Sequence, residues 1–309
     1  MSVAAAPDLM VLADALPEIG AGHVMRMAVL AAAWPAAGGG EARLAGRVEL
    51  PFVRRRLAAL GVAVLPRAEP LGAAAVVVVD SYDPDTRRFG ARRAGARLRV
   101  LVDDLGGWVP EGFDLIWNPN AYATAALYPE FRGTVLGGER AVPIRSGLPA
   151  WSGGAAQSVA VTLGGGRPTS ALVEALGHLA RALPDRSFRG VGDWLPDGWL
   201  AVDPDRPWDG LAQAAVLISA AGGSIWEAAS VRMPVVAVCT SDNQAEVWAW
   251  ARQAGAPAVD ARMSASPRDL AEELQRALPG ARPLPPLRDG APDVARTLVE
   301  RARAGRPSA

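Results

Sequence analysis

Two histidines, one cysteine and no lysine leave this 309-residue chain few side chains able to move a proton or attack an electrophile. Without lysine there is no Schiff base, hence no ordinary pyridoxal chemistry, and no P-loop lysine. A single cysteine, Cys239, allows neither an internal disulfide nor a cysteine-rich zinc cage, and two histidines cannot build a three-histidine metal site within one chain. Imidazole acid–base work therefore falls to His23 or His178. His178 follows Gly177 inside a predicted helix, the position of a surface or packed residue.

His23 is differently placed. It ends the segment Ile19-Gly20-Ala21-Gly22-His23, between a predicted strand over 8–13 and a predicted helix over 23–34. Gly20 and Gly22 carry no Cβ, so the backbone there can turn tightly and approach a ligand. A histidine at a helix N-terminus lies against N–H groups of partial positive charge, which disfavour imidazolium; a neutral ring, the form a general base needs, is expected. Arg26, one turn on, points the same way and is a candidate to meet an anion. The plain alternative is a flexible loop with its histidine facing water.

Two further glycine turns follow predicted strands in the second half. Ser219-Ala220-Ala221-Gly222-Gly223-Ser224 opens a helix whose N-terminus suits a pyrophosphate, with Ser224 as a cap or a phosphate donor. Glu227, one turn in, is placed to accept from ribose hydroxyls, or sits there only to suit the helix dipole. Gly164-Gly165-Gly166 is the second such turn. Neither matches G-x-G-x-x-G or G-x-x-x-x-G-K-[ST], which argues against a dehydrogenase or a P-loop enzyme. Thr240-Ser241-Asp242-Asn243-Gln244 supplies amide donors before another helix, or simply caps it. Asp103 and Asp104 are adjacent at a strand end, so their carboxylates diverge; loop anchoring is expected there rather than metal binding.

The elements that position these residues alternate short β-branched runs with helical segments, the pattern of parallel sheets wrapped by helices. The run 75–79 is apolar throughout, as strands buried on both faces are, and ends at Asp80. A Pro-, Gly- and Ser-rich stretch over 143–154 separates two such halves. The expected domains are 1–147, carrying the His23 loop, and 148–309, carrying the other glycine turns and the C-terminal helices. Both are expected to be doubly wound, with a ligand cleft at the carboxyl ends of their strands.

Composition narrows the partners. The 32 basic and 32 acidic residues cancel, so no overall field draws in nucleic acid or an acidic membrane. The first 15 residues lack a basic signal-peptide start, and no run of ~18 apolar residues occurs, so a cytoplasmic protein without stable membrane association is expected.

Taken in order, these segments resemble a known enzyme family. Gly20-Ala21-Gly22-His23-Val24-Met25-Arg26 is similar to the G-x-G-H-V-x-R motif of the nucleotide-sugar hydrolases of pseudaminic acid biosynthesis, which act on a UDP-linked diacetamido-trideoxy sugar. The spore-coat-polysaccharide SpsG-like proteins share that pattern. The likeness continues through Asp80-Ser81-Tyr82, Val102-Asp103-Asp104-Leu105 and 118–122. It resumes at Leu163-Gly164-Gly165-Gly166, 219–227 and Asn243-Gln244, and ends near Ala256. More distantly the layout is similar to MurG-like glycosyltransferases, which implies a GT-B-like α/β fold of two Rossmann-type domains.

The resemblance implies an inverting hydrolase of a UDP-linked deoxyamino sugar that needs neither metal nor other cofactor. His23 would be the general base for the attacking water, with Asp14 and Tyr82 as further catalytic candidates near the sugar. Gly20, Gly22 and Arg26 would line the same loop. Gly164, Gly165, Gly166, Gly222, Gly223, Ser224 and Glu227 would hold pyrophosphate and ribose, and Asn243 and Gln244 would line the phosphate–sugar side. Leu12 stands where the family commonly has Arg ahead of Ala13-Asp14, and Ile225 replaces a hydroxyl-bearing residue. The Leu-Gly-Pro and Leu-Leu-Arg stretches appear as Leu136-Gly137-Gly138 and Val142-Pro143-Ile144-Arg145, so the nucleotide half keeps the pattern better than the sugar half. Two rival readings share the fold: a glycosyltransferase in which His23 deprotonates an acceptor hydroxyl, and a catalytically silent nucleotide-sugar binding module.

Overall fold

The computed structural model of the protein describes residues 5–66, 74–107, 109 and 111–305. The chain divides into two compact units, Met1–Arg145 with Arg288–Ala309, and Ser146–Leu287.

In the first unit the elements run β1 (Leu9–Ala13), α1 (Gly22–Ala33), β2 (Ala42–Ala45), α2 (Pro51–Ala59), β3 (Ala63–Leu65), β4 (Val76–Asp80) and α3 (Pro84–Ala91). They continue with β5 (Leu98–Val102), β6 (Leu115–Trp117) and β7 (Thr134–Leu136). The strands form one sheet in the order β3-β2-β1-β4-β5-β6-β7, and every neighbouring pair is parallel. β1 and β4 are buried along their whole length, as apolar runs covered by helices on both faces must be. They lie side by side with Ala13 level with Asp80. From β1 the chain winds one way across the sheet and from β4 the other, so the loops beyond these two strands part and leave a crevice at their carboxyl ends.

The second unit repeats the plan. Its elements are β8 (Ala155–Thr162), α4 (Ser170–Ala182), β9 (Ser187–Gly190), β10 (Leu200–Ala201), α5 (Pro207–Leu211), β11 (Ala214–Ala220) and α6 (Gly223–Val231). Then come β12 (Pro234–Cys239), α7 (Ala245–Gln253), β13 (Ala258–Asp260), α8 (Pro267–Ala277) and β14 (Arg282–Pro283). The parallel order is β10-β9-β8-β11-β12-β13, with β14 antiparallel on β12. The winding reverses between β8 and β11, the strands that the glycine turns follow.

The closing helix α9 (Ala291–Ala304) corrects the expected division, because it belongs to the first unit rather than to 148–309. Its apolar stripe of Val294, Ala295, Leu298, Val299 and Ala302 joins the core built on β1 and α1. Asp289 fixes the return, its Oδ1 accepting from the Ile144 amide at 2.9 Å and the Ala291 amide at 3.0 Å. Gly290 permits the close pass, since a Cβ there would meet the Arg140 carbonyl oxygen at 2.3 Å. Helical periodicity shows that a face needs covering, not which sheet covers it.

No described helix is long and apolar enough to cross a membrane.

Candidate functional site

At the carboxyl ends of β1 and β4, Gly20 closes the turn into α1. Its φ of 78° is one a side chain would resist, and its amide donates to the Leu16 carbonyl at 2.8 Å. No side chain caps α1, and His23 is the second residue of the helix, buried to 8% exposure. Its Nδ1 lies 2.6 Å from Oδ1 of Asp80, the last residue of β4. A carboxylate only accepts, so Nδ1 carries the hydrogen and Nε2 keeps the lone pair of a base. The Arg26 Nη2 also stands 3.2 Å from Nδ1. Both are donors, and the shorter carboxylate contact decides the tautomer.

Arg26 is not left to meet a ligand anion, as the sequence suggested. Its Nε and Nη2 donate to the two oxygens of Asp80 at 2.6 Å each, while Nη1 and Nη2 donate to those of Asp104 at 2.7 and 3.0 Å. A planar guanidinium suits two such forks; an ammonium does not. Burial alone would push both carboxylates up. The Arg26 guanidinium outweighs it, with His23 adding to the pull on Asp80, which falls to about 2, while Asp104 drops below the usual carboxylate range. Burial likewise works against the Arg26 charge, but Asp104 and Asp80 hold its proton more firmly than usual.

Tyr82 closes the ring of contacts. Its hydroxyl donates to Asp104 Oδ2 at 2.7 Å, and its ring meets the His23 imidazole edge-on, centroids 4.9 Å apart. Asn120 Nδ2 donates to Asp104 Oδ1 at 3.2 Å and to Asn118 Oδ1 at 2.8 Å. Asp103 faces away and does anchor its loop, accepting from the Leu105 and Gly106 amides, the Tyr128 hydroxyl and Arg87. The divergence expected of adjacent carboxylates is observed, but Asp104, read only as a loop anchor, belongs to the histidine's surroundings. Asp14 takes another direction, accepting from the Arg47 amide beside β2 at 2.7 Å; the carboxylate on His23 is Asp80. Asp80 and Asp104 carry a usable signal, since Asp80 ends the buried run of β4 and Asp104 comes two residues after β5, both at the carboxyl edge of a parallel sheet.

The second unit's edge is built from backbone. Gly222, extended at φ −135°, is the N-cap of α6, and no side chain caps that helix; Ser224 therefore does not fill the capping role open to it. A Cβ added at Gly222 or Gly223 would meet nothing within 4 Å, and the same holds at Gly164, whose φ is 84°. Gly165 and Gly166 complete the turn that leaves β8. Glu227 is buried to 8% exposure on α6, with Oε2 accepting from Trp208 Nε1 at 2.7 Å. Gln244 Oε1 accepts from the Thr240 amide and hydroxyl at 2.9 and 3.0 Å, and Asn243 Oδ1 from the Ser241 hydroxyl at 2.7 Å. His178 lies on the outer face of α4 beside Glu174 and Arg181, as a surface residue would. Among the described residues no group of three or more His, Cys, Asp or Glu side chains is arranged to hold a metal ion.

No protein-family model and no curated protein matches the sequence. Solved structures match in fold. The UDP-GlcNAc 2-epimerase from Neisseria meningitidis, solved with UDP-GlcNAc, aligns over 95% of this chain and 100% of its own, with a TM-score of 0.63 at 11% identity. The spinosyn rhamnosyltransferase SpnG, complexed with thymidine diphosphate, aligns over 97% and 96%, with a TM-score of 0.59 at 17% identity. The glycosyltransferase SsfS6 from Streptomyces sp. SF2575, also complexed with thymidine diphosphate, aligns over 95% and 99%, with a TM-score of 0.57 at 16% identity. The chain thus has an α/β fold of two Rossmann-like, parallel-sheet domains matching GT-B enzymes.

Proposed function

We propose that this chain is an enzyme acting on a nucleotide-activated sugar, with His23 as general base. The observation that carries the reading is the 2.6 Å pairing of His23 Nδ1 with Asp80, which leaves Nε2 as the proton acceptor. In this reading water attacks the anomeric carbon from the face opposite the diphosphate and gives its proton to Nε2. The carbon–oxygen bond to the diphosphate breaks with inversion, and Asp80 stabilises the imidazolium formed. In the second unit, the amides at the start of α6 and in the Gly164–Gly166 turn suit a diphosphate, and Glu227 suits a ribose. Hydrolysis of a UDP-linked deoxyamino sugar is the preferred form, supported by the likeness of the Gly20–Arg26 loop to the nucleotide-sugar hydrolases.

Transfer to an acceptor hydroxyl is the second reading, favoured by the glycosyltransferases among the structures of similar fold. The two separate in one assay. Nucleoside diphosphate released from the sugar nucleotide without any acceptor supports hydrolysis; strict dependence on an added alcohol supports transfer. In either assay His23→Ala lowers turnover by roughly 10²–10⁴ while leaving nucleotide affinity almost unchanged. Full turnover by that variant removes His23 from the chemistry. A panel of nucleoside diphosphates scored by the rise in melting temperature identifies the base, and UDP is expected to give the largest rise.

A further inference from the structure

A carboxylate held 2.6 Å from an imidazole nitrogen, acting alone, favours the protonated ring and so works against a base that must be neutral to act. In this protein the carboxylate does not act alone. Arg26 bonds both oxygens of Asp80 and sets Nη2 3.2 Å from the same His23 nitrogen, opposing any charge on the ring. Asp104 in turn draws on both terminal nitrogens of Arg26 and takes the Tyr82 hydroxyl, so it tempers the guanidinium from the far side. Of the other elements packed on α1, α2 carries Arg54, which donates to the Val48 carbonyl, with Arg55 and Arg56, and α9 carries Arg296 paired with Asp293 and Arg303 donating to the Gly38 carbonyl. α2 and α9 face it with Val53, Leu57, Val294, Leu298 and Val299, and Asp14, at the end of β1, is engaged with the Arg47 amide.

We propose that Arg26 is a positioning residue that offsets the Asp80–His23 pair, keeping His23 in its proton-accepting form to lower pH than Asp80 alone would allow, with Asp104 limiting the effect. The proposal gives Arg26 a role toward His23 rather than toward substrate. It rests on the general-base reading for its functional meaning, but it is testable without substrate.

The chain's only other imidazole is the partly exposed His178. A His178→Gln background therefore leaves His23 as the single ring whose titration NMR follows. In that background Arg26→Met raises the His23 titration midpoint by about one pH unit or more, and Asp104→Asn lowers it. A purely structural role for Arg26 moves neither in this opposed way. An unchanged midpoint in folded Arg26→Met protein, or shifts of the same sign in the two variants, overturns the proposal. If Arg26→Met does not fold, Asp104→Asn decides alone: a fall supports the proposal, and no change or a rise overturns it. Turnover against pH is then measured on the same variants. Opposed NMR shifts without matching movement of the acidic limb of the rate profile would leave the Arg26 role intact and remove the general-base reading.

Discussion

The two sheet edges are built on the same winding and furnished in opposite ways. At the first, His23, Asp80, Arg26, Asp104 and Tyr82 satisfy one another in a closed ring of contacts. At the second, the turns after β8 and β11 present glycine backbone with open space before Gly164, Gly222 and Gly223. A ring of mutually bonded side chains is stiff and has its charges set in advance, which is what a proton-transfer group needs. An uncapped helix start with no side chain in front is unfinished until an acceptor arrives, which is what a phosphate site needs. On the proposed function, the contrast teaches that one fold would serve chemistry by filling a strand end with partnered groups and serve binding by leaving one bare.

The most damaging way to break that contrast is to remove the acceptor at the centre of the ring. Asp80→Asn keeps the shape but leaves the Arg26 charge short of a partner and takes the carboxylate from His23. A broken buried pair of this kind costs about 3–5 kcal/mol, read by chemical denaturation. Wild-type stability in this variant would show that the ring is not what stiffens the first unit. The same pair makes an acid signature. Its folded-state titration at about 2 lies below the ordinary 3.8. Its support is therefore present above the ordinary value and is lost as pH falls toward 2.

A smaller effect is expected at Glu227, the one buried carboxylate at the second edge among the described residues. Glu227→Ala should weaken nucleoside diphosphate binding by roughly 1–3 kcal/mol, measured by calorimetry, with turnover of bound substrate little changed. Unchanged affinity would leave Glu227 as no more than the acceptor for Trp208 Nε1.

What the sequence made legible follows from which forces are local. Strand runs such as Val76–Val79 and glycine turns such as Gly222-Gly223 announce themselves within a few residues, and both units' doubly wound plan followed from them. The helix α3 carries a plain start signal, Asp83 accepting from the Thr86 amide ahead of Pro84 at N1, but its polar sequence hides the helical period. The partner of His23 was out of reach for another reason. Asp80 lies 57 residues away, and only the β1–β4 pairing brings it level with Ala13. Arg26 was misread on the same ground, since nothing within α1 shows that two strand ends supply its counter-charges.

The gentlest test of the contrast uses two glycines whose surroundings differ. At Gly90 in the first unit a Cβ would meet Val79 Cγ2 at 2.2 Å, inside the buried face of β4. Gly90→Ala is thus expected to cost about 1–3 kcal/mol of stability as overpacking, with no ligand involved. At Gly223 the backbone is helical and the space before it is empty. Alanine there should leave folding unchanged or improve it by about 0.5–1 kcal/mol, because glycine loses more freedom on entering a helix. If the emptiness is where a diphosphate comes to rest, the same methyl group weakens nucleoside diphosphate binding about tenfold, or about 1.4 kcal/mol. A Gly223→Ala protein of undiminished stability and undiminished affinity would mean that the bare turn is merely bare, and the division between a furnished edge and a binding edge would fail at its binding side.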